Sequence, residues 1–452
     1  MKTKALAFAL IATSSLVALP VQAQSQQDQL DARYDRALAA GYKALFLCSA
    51  IASAERNGAT RDAQSVLDWE LTGVQPPLDT LMADMNYNVI REMGAPIYKV
   101  EVEWSDDMAP RVAAHRTGKG CSLMPIGYDK PIPVNPPSDL APTDMVVAAF
   151  TDDALIAAAD SAFAQVGPRT TAVLVRQGGR LLGERYAEDF GPAVPQRTWS
   201  VAKSIAATLI GAAEHRMDTW RNASAGLGAE TGDPRATITI DQLLRMASGR
   251  FSDTPGNRTD PLYYGGSTVE DTATGWPLVH EPGSVFRYAN NDTLMAVRAI
   301  AEAFDTHPPA EFFAKVGMDH TVAETDWRGE YILSSQVWAT ARDLAKLGQL
   351  YLDDGVLPSG ERVLPEDWVE YVSSPAGPQP EGRSWGYGAG FWLFNNHEGI
   401  PADTFFMAGN RGQYVVIVPS RDIVIVRRGE DPTGSGFDIE AFTRDVLAAL
   451  AE

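Results

Sequence analysis

Cysteine and histidine are scarce in this sequence of 452 residues, which has two of the first and six of the second. The histidines, at 115, 215, 280, 307, 320 and 397, are scattered, with no H-x-x-x-H pair and no carboxylate at ligand spacing, so no metal or other cofactor is expected. Basic residues are also few. Against 58 Asp and Glu stand 38 Lys and Arg, a formal net charge of −20. That balance argues against nucleic acid or an anionic membrane surface as a partner, because both require basic patches that release counterions. No internal repeat or low-complexity tract is present. At the N-terminus, Lys2 and Lys4 precede an apolar run, Ala5 to Leu19, that is too short to span a bilayer comfortably. With Val21-Gln22-Ala23 behind it, residues 1–23 read as a secretory signal, which predicts a periplasmic or secreted protein with no stable membrane insertion after cleavage. In an exported chain a lone pair of cysteines predicts one disulfide, Cys48 to Cys121.

Pro131, Pro133, Pro136, Pro137 and Pro142 make Lys130 to Pro142 a linker and not a helix. The predicted organisation is an N-terminal accessory domain over 24–140, carrying the disulfide, and a second domain over 141–452. In the second, Asp152 to Gln165 is patterned as an amphipathic helix, and Thr170 to Arg176 and Arg180 to Tyr186 as a hairpin turning at Gly178-Gly179. Near the end, Tyr414 to Val418 and Ile423 to Arg428 read as strands, and Phe437 to Leu450 as a closing helix. The expected fold is α+β: one antiparallel sheet completed by both ends of the domain and flanked by its terminal helices, with a mostly helical region over 224–378 as the other wall of a cleft.

Arg197-Thr-Trp-Ser-Val-Ala-Lys203 opens an alanine-rich helix and sets Ser200 and Lys203 three residues apart, with Cβ atoms about 5–6 Å from each other on one face. An amine so placed can take the proton of a hydroxyl and make a nucleophile without histidine. Taken alone, S-x-x-K is a weak signal, since a serine capping a helix gives the same letters. A second element, Glu281-Pro-Gly-Ser-Val-Phe-Arg-Tyr288-Ala-Asn290, places Tyr288 and Asn290 two apart in an extended segment before a helix predicted to begin after Asn291. Tyr288 would relay the proton of Ser200, and Asn290 would hold the Lys203 amine. The G-x-S-x-G at Gly382 to Gly386 follows a proline-rich loop and lacks the strand-turn-helix setting of a nucleophile elbow.

With S-x-x-K and Y-x-N in this order and at wide spacing, residues from about 152 to 452 resemble the serine hydrolases of the class C β-lactamase and penicillin-binding-protein type. Thr237 to Gly249 and Ala339 to Leu350 look like the family as well. The resemblance implies a β-lactamase/transpeptidase-like fold and an acyl-enzyme on Ser200, with Lys203 or Tyr288 as general base. It also implies an oxyanion hole made by the backbone N–H groups of Ser200 and Asn410. The third motif departs: where the family carries Lys-Thr-Gly or His-x-Gly, this chain has Met407-Ala408-Gly409. The cation that would grip a substrate carboxylate is missing there, with Arg411 as a candidate substitute and Gly409 as a point of close substrate approach. Gly412-Gln413 looks more like the branch of 6-aminohexanoate-dimer hydrolases and related esterases. Tyr263, Tyr264, Trp276 and Trp385 are candidate pocket aromatics. The expected activity is hydrolysis of a small carboxylic ester or linear amide. The competing readings are a β-lactamase or D-amino-acid peptidase on the same fold, and a non-catalytic cell-envelope binding module. Oligomeric state is open.

Overall fold

The computed structural model describes residues 25–91, 96–132, 146–228, 230–252, 259–395 and 397–450. The expected signal at 1–23 and most of the expected linker lie outside the described residues.

Gly178 and Gly179 take φ of 58° and 72°, as a two-residue hairpin turn demands, and so join strands Thr170–Gln177 and Arg180–Tyr186 in the register Gln177 to Arg180. This hairpin is one edge of a seven-stranded antiparallel sheet. Its neighbour is Ile423–Gly429, followed in order by Gln413–Val418, Phe405–Gly409, Trp392–Leu393 and Gly386–Tyr387. Side chains alternate between two cores, as the period of two requires. Val173, Val175, Ile423 and Ile425 face the helices Asp153–Ala164 and Ile439–Ala449. Ala172, Leu174, Val424 and Val426 face the other way, into a larger core with the helices Val201–His215 and Ala341–Leu352. The first and last helices of the domain thus pack together on one face of a sheet completed by both its ends.

The region before residue 130 is built on one long helix, Gln26–Arg56, capped by a Ser25/Asp28 capping box and laid against a four-stranded antiparallel meander. The helix is long and apolar enough to cross a membrane, yet its apolar window is wholly buried in the protein. A disulfide joins Cys48 on this helix to Cys121 on the last strand of the meander, with Cα atoms 6.1 Å apart. This accessory region shares its packing with the rest of the chain. Tyr42 and Phe46 stack on each other at 4.3 Å, Tyr42 lies 4.5 Å from Tyr264, and Phe46 lies 5.8 Å from Trp199, all in one continuous hydrophobic core. The N-terminal region shares the main core because residues 37–54 of its helix are buried all round, against the meander and against the rest of the chain.

Candidate active site

Ser200 occupies the N-cap position of the helix Val201–His215, and Lys203 follows one turn later with its side chain buried. The Lys203 Nζ donates to Ser200 Oγ at 3.0 Å, to Asn290 Oδ1 at 2.6 Å and to the Ser334 carbonyl at 3.0 Å. Among the described residues it has no carboxylate partner, and burial lowers its pKa to about 7. When the amine is neutral, its two N–H groups can keep Asn290 and Ser334 while its lone pair faces the Ser200 hydroxyl. Asn290 is itself oriented, donating from Nδ2 to Thr259 Oγ1 at 2.7 Å. Tyr263 sits one layer behind, sharing a 2.6 Å hydrogen bond with Ser334 Oγ.

Tyr288 lies across the amine, with Lys203 Nζ 4.9 Å from its ring centroid. Burial raises the phenol to about 12, against the opposing pull of a hydrogen bond with Ser200 and the charge of Arg383. It is therefore protonated at neutral pH. The expected extended Tyr288/Asn290 pair is corrected in one respect: the helix starts at Asn290 itself, Asn290–Arg298, so Asn290 reaches Lys203 from a first helical turn. Ala289 at the N-cap is extended, which turns Tyr288 and Asn290 into the same space.

The last residue of strand Phe405–Gly409 closes the site from the sheet. A Cβ on Gly409 would lie 2.4 Å from the Thr198 carbonyl and 3.1 Å from the Ser200 nitrogen, so only glycine fits. Neither the Ser200 nor the Asn410 N–H has a protein acceptor among the described residues, and both residues line one cleft. Trp199, immediately before the nucleophile, takes a left-handed φ of 50° and is gripped by Arg197, whose guanidinium lies 4.2 Å from its ring.

The cleft has a volume of about 540 Å³, within the usual range for small-molecule sites. It brings together Ser200, Tyr288, Asn290, Gly409 and Asn410 with Tyr263, Tyr264 and Trp385. Trp385 is fixed by an indole hydrogen bond to Glu440 at 2.7 Å. The ring of Tyr264 is turned back onto Tyr42. Trp276 is placed elsewhere, against Phe251. Arg411 lines the cleft too, but its guanidinium is engaged by Glu430 at 2.8 Å and by the carbonyls of Trp69 and Thr72 at 2.9 and 2.8 Å. This corrects the expectation that Arg411 presents a cation to substrate. Met407, in the place of the third-motif lysine, is buried. The cation that does face the cleft is Arg383, 5.6 Å from the Trp392 ring and, among the described residues, without a carboxylate partner. Sequence reading gave no role to Arg383, Trp392, Gln75 or the Ser334 carbonyl; Arg383 falls inside the G-x-S-x-G stretch, and no local motif marks the other three.

A buried amine on a serine at a helix N-terminus, facing a phenol and two amide N–H groups, is the arrangement of a serine hydrolase. The β-lactamase family model matches residues 158–449, and the chain belongs to that family. It is similar to the 6-aminohexanoate-dimer hydrolase of Paenarthrobacter ureafaciens, 27% identical over 304 residues that cover 58% of this chain and 73% of the relative. It is similar also to penicillin-binding protein 4 of Amycolatopsis lactamdurans, 24% identical over 56% of this chain and 76% of the relative. Among solved structures, a family VIII carboxylesterase shares the fold, with a TM-score of 0.53 at 15% identity, covering 68% of this chain and 98% of the other. A Caulobacter crescentus penicillin-binding-protein homologue aligns with a TM-score of 0.52 at 15% identity, over 68% of this chain and all of the other.

Proposed function

We propose that this β-lactamase-fold serine hydrolase is exported and cleaves a carboxylic ester or linear amide through an acyl-enzyme on Ser200. The observation that carries the mechanism is the buried Lys203 amine, 3.0 Å from Ser200 Oγ and lowered to about 7 by burial. Neutral Lys203 takes the hydroxyl proton as Oγ attacks the carbonyl carbon. The oxyanion is met by the N–H groups of Ser200 and Asn410, backed by the helix dipole. The C–O or C–N bond then breaks, with the leaving group protonated through Tyr288, and Ser200 is left acylated. Water, deprotonated by the same groups, attacks the acyl carbon and releases the acid and Ser200.

The ester or linear amide reading is supported by the missing third-motif cation and by the hydrolase named for the 6-aminohexanoate dimer among the relatives. Export is supported by the signal-like residues 1–23 and by a disulfide, a bond that persists in oxidising compartments. The test is incubation with a short-chain p-nitrophenyl ester and a fluorophosphonate probe. Turnover with one adduct, both lost in Ser200→Ala, is the expected result; a folded protein that neither turns over nor labels refutes the reading. Arg383 favours a second reading, a β-lactam or D-amino-acid peptide whose carboxylate it would pair. Rapid turnover of a chromogenic cephalosporin, lost in Arg383→Ala, would select it.

A further inference from the structure

The family match begins at residue 158, yet the cleft wall includes a residue from far upstream, Gln75. Its segment is firmly held. Leu71, Val74 and Leu78 are buried in the main core, while the Trp69 and Thr72 carbonyls accept from the Arg411 guanidinium. The Gly73 carbonyl accepts from Thr433 N–H at 2.8 Å. Contact there is so close that a Cβ on Gly73, at φ 70°, would lie 2.8 Å from Pro432 Cβ. Arg411 and Thr433 both line the cleft, so the segment is fastened to that wall on two sides. Gln75 follows two residues after Gly73, half-buried, and among the described residues its carboxamide has no partner in the protein. Gln75 is thus a cleft-lining residue whose carboxamide is uncharged and offers both a donor and an acceptor.

We infer that Gln75 is a substrate-contacting, specificity-determining residue that favours substrates carrying an amide or another neutral hydrogen-bonding group beyond the scissile bond. The N-terminal region is then part of the substrate site. The inference rests on the Ser200 hydrolase reading. It adds a contact from residues outside the family match.

The test compares two esters of similar length, p-nitrophenyl N-acetylglycinate, which has an amide, and p-nitrophenyl pentanoate, which has none. The readout is the ratio of their kcat/KM values in the full chain and in Gln75→Leu and Gln75→Ser, each checked by near-UV circular dichroism. Loss of one hydrogen bond is expected to lower the ratio about 3- to 10-fold in both variants. An effect common to both esters cancels in the ratio. An unchanged ratio in either folded variant, with an active wild type, overturns the role of Gln75 and leaves the Ser200 reading standing. A wild type that neither hydrolyses the esters nor takes up a fluorophosphonate overturns both.

Discussion

Lys203 and Asn290 meet at 2.6 Å, the shortest of the three contacts that hold the buried amine. The contact fixes where the Lys203 lone pair can point, and burial places its titration near neutrality. With Lys203 at about 7, kcat/KM is expected to rise roughly tenfold between pH 6 and pH 8 and then to level off. Lys203→Arg, which stays charged, should lose activity throughout the range. A flat wild-type profile over pH 5 to 8 would show that Lys203 is not the base.

The same burial has a consequence for stability. The folded Lys203 titrates near 7, below the roughly 10.4 of a free lysine, so between those values the unfolded chain binds more protons than the folded one. This group's contribution therefore makes the wild type more stable as pH rises from about 7 to about 10. Below that window its burial cost is at its full value. Lys203→Met should remove this slope, so that the wild type gains on the variant with rising pH. Urea unfolding of both at pH 6.5 and 9 measures it.

Tyr288 is raised to about 12 and remains protonated in the working range, as proton relay requires. Tyr288→Phe keeps the ring beneath Lys203 and removes the hydroxyl. A fall in kcat of about a hundredfold or more is expected, with KM changing far less. Steady-state kinetics on a p-nitrophenyl ester would reveal a loss confined to KM, which would place Tyr288 in binding and not in proton transfer.

Gly409→Ala would put a methyl group 2.4 Å from the Thr198 carbonyl, on the approach to the Ser200 N–H. Displacing the oxyanion donors is expected to lower kcat about a hundredfold or more. Fluorophosphonate labelling should slow in parallel. Normal labelling in the variant would mean that this strand end is not part of the oxyanion site.

Much of this arrangement could be read in the sequence, because it is encoded locally. Gly178-Gly179 specifies its own turn, alternating Val and Ile specify the strands around 415 and 425, and S-x-x-K puts two groups on one helical face. What stayed hidden depends on contacts between distant segments. The Ser334 carbonyl that holds Lys203 is backbone, and no residue type announces it. Arg411 reads as an available cation until Glu430 and two carbonyls of the N-terminal region are packed around it. The proline-rich linker marks a boundary along the sequence, but no local pattern shows that Tyr42 and Phe46 insert among Trp199, Tyr264 and Trp338.

The disulfide ties Cys48 to Cys121 across 73 positions of chain, and both sulfurs are buried. Cys48→Ala/Cys121→Ala is expected to lower stability by about 2–4 kcal/mol. Because the helix bearing Cys48 packs under Trp199, activity should fall at lower urea in this variant than in the wild type. Equal midpoints for both proteins would show that the bond adds no stability.

The sheet pairs Thr170–Gln177 with Ile423–Gly429, two strands separated by most of the catalytic domain. A growing polypeptide leaving the ribosome would hold the earlier strand for a long interval with one edge unpaired, an invitation to misassociation until its late partner emerges. The cleft, lined by residues as late as Phe437, therefore cannot form before the strand Ile423–Gly429 is available to pair.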